Sequence, residues 1–256
     1  MNEFANNIKP DEFKNYISLG YFCEVAKDLE RLGLRNQSSP FDWVISYFPK
    51  VIYAIDTQFL NFLTYENLYQ EKTSKNRYFD NEYRIYFYHD FNAYDSLDKQ
   101  INDVKSKYDR RIKRFLNTIK NPTLFLRYIS NEKNNKNGRS SELEWIEENY
   151  EYILSTLKKY NPNNNIIFLG DEQTVSKKIK IYHVPIDDGD KVSRQPIFNN
   201  KELYPILAKI DFPGKENNLK RYRKKECKKF FKKAINKIRK KFNKIFRKEY
   251  YHTKTY

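Results

Sequence analysis

The chain of 256 residues contains 39% hydrophobic and 17% aromatic residues, enough to bury a sizeable core, which excludes an intrinsically disordered protein. Its formal net charge is +16, and its two cysteines, Cys23 and Cys227, lie too far apart in sequence to indicate a disulfide, which favours a reducing, cytoplasmic setting. Neither a run of about 18 apolar residues nor an N-terminal signal pattern occurs, so we expect neither a membrane-spanning helix nor secretion.

The first informative segment puts a cysteine where a helix begins. Tyr16–Leu19 is a short apolar run typical of a strand, and Gly20 supplies a turn. Apolar residues at helical spacing then predict a helix over Cys23–Leu32, which Gly33 ends. Free backbone N–H groups and the positive end of the helix dipole favour a thiolate in this first turn. Cys23 is therefore a candidate nucleophile, and the alternative is a small side chain packed at a strand-to-helix junction.

Strand-like and helical patterns alternate along the rest of the chain. The further strand-like segments are Tyr83–Tyr88, Thr123–Tyr128, Asn165–Leu169 and Ile179–His183, and the further helical segments are Phe48–Phe62, Ser96–Ile119 and Ser140–Lys159. This alternation predicts an α/β fold with a mostly parallel or mixed central sheet flanked by helices. Ligands of such sheets bind at the carboxyl ends of strands, so Cys23, His89 and Asp171, which each follow a strand, are expected at one pocket.

A thiol nucleophile needs a base that titrates near neutral pH, and histidine is that residue. His89 follows one strand-like segment, and His183 ends another and competes with it. His252 lies in the charged tail and is the poorest candidate. A half-buried histidine without a catalytic role is the alternative for either of the first two.

Three aspartates are candidates for orienting the imidazole. Asp90 adjoins His89 but points to the opposite face of an extended strand unless the chain turns there. Asp171 ends a strand and ranks nearly equal with Asp90. Asp42 is a further possibility, although a short polar residue after a proline is more typical of a turn, and its neighbour Trp43 suggests a fixed wall of the pocket.

The segment SLGYFCEVAKDLERLGLR followed by SSPFDWV resembles the opening signature of a bacterial domain family of unknown function, described as papain-like cysteine peptidases. FYHDF at 87–91 and KYDRRIKRF at 107–115 match the same pattern, and the resemblance extends from about Tyr16 to Pro185. It implies a cysteine-nucleophile site with Cys23 as the attacking group and His89 as its base. Papain-type folds have a mainly antiparallel sheet, and here we give the alternation of strands and helices more weight than the family description.

Three of the arginines between residues 110 and 127 suggest an anion-binding role. Arg110 and Arg114 are four residues apart and share a helix face, and forked guanidinium groups recognise phosphate or carboxylate. They can therefore hold an anionic substrate such as a sugar phosphate; a solvated face with internal ion pairs is the alternative. Arg127 lies inside an apolar strand and needs a partner, so it should line the pocket or bind a core carboxylate.

Nearly all of the net charge lies in the C-terminal segment. From residue 215 to 256, 18 Lys or Arg outnumber 3 Glu, which accounts for all but one of the net positive charges. Apolar residues recur there at helical spacing, namely Phe230, Phe231, Ala234, Ile235, Ile238, Phe242, Ile245 and Phe246. We therefore predict an α/β domain over 1–214 and a basic amphipathic helix over 215–256.

A basic amphipathic helix fits an anionic membrane surface, which we expect to be bound through Lys220 to Lys248. This predicts a cytoplasmic protein peripherally associated with the inner face of the membrane; the alternative is an apolar stripe packed on the body. Nucleic acid is disfavoured because no recognised binding motif accompanies the charge. The sequence has no metal-ligand spacing and no phosphate-binding glycine motif, so we expect neither a metal nor a cofactor.

These patterns lead to three functional hypotheses. The first is a cysteine peptidase or acyl-transfer enzyme with a Cys–His active site near the inner membrane surface, acting on a peptide, ester or sugar-phosphate substrate. The second is a glycan-modifying transferase of cell-surface polysaccharide biosynthesis, in which the arginines bind a sugar phosphate and Cys23 is structural. The third is a non-catalytic binding module recruited to membranes.

Overall fold

The fold was analysed in a computed structural model that describes residue 9 and residues 12–133, 139–186 and 193–252, with side chains given as far as residue 240. In chain order the elements are β1 (Asn15–Ser18), α1 (Glu24–Arg31), β2 (Val44–Ser46), α2 (Phe48–Asp56), β3 (Leu68–Gln70), β4 (Tyr78–Asp80), β5 (Ile85–Phe87), α3 (Leu97–Thr118), β6 (Thr123–Tyr128), α4 (Ser141–Glu148), α5 (Tyr150–Lys158), β7 (Asn165–Gly170), β8 (Ile181–His183), α6 (Leu203–Lys209) and α7 (Lys215–His252).

A parallel sheet of four strands in the order β1-β6-β7-β8 forms the centre of the body. Its register pairs Ile17 with Phe125 and Leu126 with Ile167. All six residues of β6 are buried, because packed side chains cover both faces of this central strand. The predicted α/β fold with flanking helices is confirmed.

A second, antiparallel sheet has the strand order β2-β5-β4-β3. The strand predicted over Tyr83–Tyr88 is observed as Ile85–Phe87, and it pairs with β2 and β4 instead of joining the parallel sheet. The other three strands of this sheet escaped the sequence analysis because each spans three residues, which is too short for an alternating pattern to stand out.

Two apolar cores lie on opposite sides of the parallel sheet, and the alternation of side chains along β6 assigns residues to each. Leu124 and Leu126 pack in the core next to α1 and α6. Phe125 packs in the larger core, which also contains residues of α2, α3 and the antiparallel sheet, such as Phe87. The body is therefore a three-layer arrangement in which the antiparallel sheet extends one core.

Four helices, α2, α4, α5 and α6, differ from the sequence-based expectation. The segment predicted over Ser140–Lys159 is two helices, α4 and α5, and the segment predicted over Phe48–Phe62 ends as a helix at Asp56. The short helix α6 was not predicted. The C-terminal helix α7 begins at Lys215, the residue where the tail was expected to start. Among the described residues, no helix combines the length and the apolar character that crossing a bilayer requires.

Candidate active site

Cys23 is the N-cap residue of α1 and follows a tight turn after β1. Gly20 has φ +83° and Tyr21 has φ +24°, so the chain turns through two residues in the left-handed region. A Cβ on Gly20 would lie 2.5 Å from Ser46 Oγ, so glycine is required there by close approach as well as by conformation. The turn delivers Cys23, half-buried, to the first turn of the helix, as the sequence predicted.

Arg127, which is fully buried on β6, hydrogen-bonds to this turn and to β2. Its Nη1 donates to the carbonyl oxygen of Leu19 at 2.9 Å and to Ser46 Oγ at 2.9 Å. Nε and Nη2 donate to the two carboxylate oxygens of Glu142 at 2.8 and 2.7 Å. Of the two roles considered for Arg127, the structure supports the bond to a core carboxylate, because its fork is occupied inside the protein.

Cys23, Trp43 and His89 together line two cavities. The larger Cys23 cavity has a volume of about 470 Å³ and is also lined by Lys27, Glu30, Arg31, Tyr222, Lys225, Glu226 and Lys229. The smaller Cys23 cavity has a volume of about 330 Å³ and is also lined by Phe22, Val44, Ile45, Asn76, Arg77 and Tyr88. The candidate nucleophile and the candidate base therefore share the same space, with Trp43 as a wall.

The antiparallel sheet, and not the parallel one, places His89 at the cavities that Cys23 lines. Val44 of β2 pairs with Phe87 of β5, so Trp43 and His89 project from the same end of this strand pair. The backbone N–H of Ser46 donates to the carbonyl oxygen of Tyr21 at 3.3 Å, which ties β2 to the Cys23 turn. That both residues line one space was expected, and its structural basis is the junction of two sheets.

Charged side chains surround the thiol. Sγ of Cys23 lies 3.8 Å from Glu24 Oε1, and Glu24 also forms an ion pair with Lys27. Burial lowers the pKa of Lys27, but hydrogen bonds to Glu24 and Cys23 and the attraction of both groups outweigh it, so this pKa is raised. No side chain caps the N-terminus of α1 at Cys23. The thiol therefore lies at the N-terminal end of α1 beside a carboxylate that is itself paired with a cation.

The aspartates considered for orienting the base have other partners. The Asp90 carboxylate is buried against α3, where Lys107 Nζ donates to it at 2.6 Å and Tyr108 Oη at 3.0 Å. Asp171 accepts from Thr174 Oγ1 at 2.7 Å and caps the turn after β7. Within the described part of the chain, neither carboxylate forms a hydrogen bond or an ion pair with His89.

Asp42 and His183 also have local roles. Asp42 accepts from the backbone N–H of Ser39 at 2.8 Å and from Arg35 Nη2 at 2.6 Å, so it stabilises a turn, as the proline before its neighbour suggested. His183 lies on β8, the edge strand opposite β1, and its Nδ1 is 3.0 Å from the backbone oxygen of Asp171. Of the two body histidines, His89 is the one that shares cavities with Cys23.

The arginines of α3 divide between solvent and interior. Arg110 and Arg114, the two expected to bind an anionic substrate, are exposed. Arg111, between them in sequence, turns inward to within 4.0 Å of Asp90 and lies over the ring of Tyr108. The pattern was therefore correct about a shared helix face, but that face points to solvent.

Helix α7 supplies a wall of the larger Cys23 cavity, and the sequence contained no signal for this. Lys225 Nζ bonds both carboxylate oxygens of Glu30 at 2.8 Å and stands over the ring of Trp43. Asn218 Nδ2 donates to the carbonyl oxygen of Gly33 at 2.9 Å. These contacts join segments almost two hundred residues apart, which a periodic pattern does not reveal. Asn76 and Arg77, in a polar turn before β4, were missed for the same reason.

Immediately beyond this wall, α7 exposes apolar side chains. We call Phe230, Phe231, Ile235 and Ile238 the α7 stripe; their exposed fractions are 71%, 59%, 58% and 55%. The side chains of Phe242, Ile245 and Phe246, which continue the predicted stripe, lie outside the described part, as does that of His252. The described part of the stripe is therefore not covered by the body of the protein.

Comparison with known proteins gives a family but no solved relative. No solved structure matches the chain. A protein of Acanthamoeba polyphaga mimivirus, "Uncharacterized protein R408", is 26% identical over 205 residues, an alignment that covers 68% of this chain and 88% of that protein. A family model matches residues 14–160, more than half of the chain, a range that includes Cys23, Trp43 and His89 but not α7. The chain therefore belongs to the family described as "Putative papain-like cysteine peptidase (DUF1796)".

Proposed function

We propose that the protein is a cysteine-dependent hydrolase or acyl transferase in which Cys23 is the nucleophile and His89 is its base. The observation that carries this proposal is that both side chains line the same two cavities. Membership of a family described as "Putative papain-like cysteine peptidase", whose matched range includes Cys23, supports a thiol-based reaction. A thiol beside an imidazole is the arrangement that covalent acyl transfer requires.

In the proposed reaction, His89 accepts the proton of the Cys23 thiol, and the thiolate attacks the carbonyl carbon of an ester or amide. A carbon–sulfur bond forms, and the carbon–oxygen or carbon–nitrogen bond to the leaving group breaks as the imidazolium returns its proton to that group. Water, or an acceptor alcohol or amine, then attacks the thioester, and His89 takes the proton of the attacking group. The thiol is regenerated at the end of the cycle.

The first turn of α1 is suited to the negative charge that develops on the carbonyl oxygen. The Cys23 side chain does not cap this turn, so it does not occupy the backbone N–H groups at the start of the helix. Such groups stabilise an oxyanion because they point along the helix axis at the positive end of the dipole. Lys27, whose ammonium group is paired with Glu24, lies beside the same sulfur.

We further propose that the enzyme works at an anionic membrane surface through α7. The α7 stripe is exposed, and the described segment from Lys228 to Lys240 contains basic residues and no acidic ones. An apolar stripe flanked by lysines is the pattern of helices that lie in a membrane interface. The surface that we propose is the inner, cytoplasmic face of the membrane.

The glycan-transferase alternative receives less support from the arginines. It requires guanidinium groups at the pocket, whereas Arg110 and Arg114 are exposed on α3 and Arg127 is bound to Glu142. Arg31 and Arg77 line the two cavities instead, and Arg31 is bound to Asp28 at 2.6 Å. The thiol chemistry therefore remains the leading proposal.

The experiment that tests the thiol proposal uses iodoacetamide on the full chain, with the two cysteines compared by mass spectrometry. Cys23 is expected to react faster than the exposed Cys227, and His89→Ala is expected to remove the difference. His183→Ala is the matched control and should leave the labelling unchanged. Equal rates at Cys23 and Cys227, or labelling of Cys23 that ignores His89→Ala, would contradict the proposal.

The membrane proposal is tested by sedimentation with vesicles. We expect binding to vesicles that contain phosphatidylserine, and weaker binding to pure phosphatidylcholine or at high salt, because screening reduces the attraction of exposed lysines. Equal binding to neutral and anionic vesicles would argue against an electrostatic anchor.

A further inference from the structure

We propose that the Cys23 site acts on molecules anchored in the membrane, at an ester or amide bond that lies in the headgroup layer. The inference rests on the proposed thiol chemistry and names the substrate class for it. It follows from one structural fact, which is that a single helix, α7, supplies both a wall of the larger Cys23 cavity and the exposed apolar stripe.

The first half of α7 belongs to the site. Tyr222, Lys225, Glu226 and Lys229 line the larger Cys23 cavity at the spacing i, i+3, i+4 and i+7, so they share one face of the helix. The bonds from Lys225 to Glu30 and from Asn218 to Gly33 attach this face to the body. Because the helix is continuous through these residues, the position of the cavity relative to the rest of α7 is defined.

Three members of the α7 stripe, Phe231, Ile235 and Ile238, lie on the opposite face, whereas Phe230 is about 100° from Lys229 around the helix. Lys229 and Phe231 are two residues apart, which separates them by about 200° around a helix of 3.6 residues per turn. Phe231, Ile235 and Ile238 continue at i, i+4 and i+7 along that far face, and the exposed Cys227 precedes them by one turn. The helix therefore separates the apolar face from the cavity by its own diameter.

That separation sets the depth of the site. A helix with its side chains is about 10–12 Å across, and the apolar face of an interfacial helix enters the headgroup and acyl boundary by about 5–10 Å. With the α7 stripe inserted, the larger Cys23 cavity stands at the level of the headgroups and above the acyl chains. The bond that Cys23 attacks is then part of an anchored molecule that projects into the headgroup layer.

Charge selects a lipid surface over a second copy of the chain as the occupant of the stripe. Lys228, Lys232 and Arg239 are exposed beside Phe231, Ile235 and Ile238, and Lys233, Lys237 and Lys240 are exposed on the other side of the helix; no acidic residue lies among them. Two such helices packed stripe to stripe would bring like charges together, whereas anionic headgroups neutralise them.

The test uses iodoacetamide attached to the headgroup of phosphatidylethanolamine in phosphatidylserine vesicles, with soluble iodoacetamide as the comparison probe. Cys227 reports the orientation of α7, because it shares the face of the stripe. We expect tethered probe to label both Cys227 and Cys23, with Cys23 at least about tenfold faster than with soluble probe at the same bulk concentration, because tethering raises the effective concentration.

Phe231→Ser with Ile235→Ser is expected to abolish that gain and to leave soluble labelling of Cys23 unchanged. Leu60→Ser is the matched control, since Leu60 is 64% exposed on the body. Tethered labelling of Cys227 without Cys23 would overturn this inference, because the site would then face away from the headgroups. Absence of tethered labelling at both would also overturn it. If soluble probe shows no His89-dependent preference for Cys23 over Cys227, the proposed thiol chemistry is refuted. That result is separate from the outcome with the tethered probe.

Discussion

Arg127 Nη1 donates a hydrogen bond of 2.9 Å to the carbonyl oxygen of Leu19, which joins the parallel sheet to the turn that carries Cys23. The same guanidinium bonds the oxygen atoms of Ser46 on β2, so it also connects the antiparallel sheet. Since His89 follows a strand of that second sheet, one buried cation fixes the two sides of the candidate active site relative to each other. Arg127 is accordingly a positioning residue.

Removal of Arg127 alone should be severely destabilising. Arg127→Met leaves Glu142 as an unpaired buried carboxylate, and we expect a loss of about 3–5 kcal/mol in the free energy of unfolding. The double variant Arg127→Met with Glu142→Leu should lose less, because it removes both charges together. Urea unfolding monitored by circular dichroism measures both. A double variant less stable than Arg127→Met would contradict this account of the pair.

Two glycines with the same backbone conformation allow the close approach at the Cys23 turn to be measured. Gly20 and Gly214 have φ values of +83° and +77°. A Cβ added to Gly20 would collide with Ser46 Oγ, whereas a Cβ added to Gly214 would have no described atom within 4 Å. Gly214→Ala should lose about 1–2 kcal/mol for the left-handed conformation. Gly20→Ala should lose about 1–3 kcal/mol more for overpacking. Equal losses of unfolding free energy would show that the contact at Gly20 relaxes freely.

Lys27 should affect how fast Cys23 reacts with iodoacetamide. Lys27→Met removes the cation that shares the neighbourhood of Sγ with Glu24, so iodoacetamide labelling of Cys23 at neutral pH should slow by about two- to fivefold, the range expected for a partly exposed ion pair. Lys99→Met, on an exposed position of α3, is the matched control. Unchanged labelling in Lys27→Met would remove Lys27 from the proposed site.

Tyr128 should make the fold sensitive to alkaline pH. Burial raises the pKa of Tyr128 to about 12, above the ordinary value near 10, and its ring packs on Tyr21 and Phe22 beside Cys23. A raised pKa means that this stabilisation is complete below pH 10 and is lost as the pH rises towards 12. Two pKa units correspond to about 3 kcal/mol at most.

The matched variant for this prediction is Tyr128→Phe, which has no proton to lose. Its unfolding free energy should fall less than that of the native chain between about pH 9 and pH 11.5. Tyr83, whose pKa burial also raises to about 12, remains in both proteins and contributes equally to both. Parallel losses in the two proteins would mean that Tyr128 does not carry the alkaline sensitivity.

Most elements of the parallel sheet were predictable because their signals are local. Thr123–Tyr128 is a largely apolar run that contains one charged residue, Arg127, which is consistent with burial on both faces, and its predicted bounds are the observed ones. The helices α1 and α3 follow from apolar residues at helical spacing. The antiparallel sheet gave no comparable signal, because strands of three residues carry less than two periods of alternation.

The candidate site shows the same division. The turn at Gly20 and the start of a helix at Cys23 are encoded in adjacent residues, so the sequence alone identified the thiol. The partners of Asp90 and Arg127 depend on which helix packs beside them, and Lys107 and Glu142 have no sequence relation that announces those bonds. From the sequence, Arg127 could either line the pocket or bind a core carboxylate. The position of α4 gives it the second role, through Glu142.

By itself, the sequence determined the α/β class, the nucleophile candidate at the N-terminus of α1 and the basic amphipathic character of the C-terminal helix, because propensity, turn chemistry and periodicity act over a few residues. Only the tertiary structure decided that His89, which follows a strand of a second sheet, lines the same cavities as Cys23 and that α7 forms a wall of the larger one. Those contacts join distant parts of the chain, and they depend on the packing of whole elements, which no short pattern encodes.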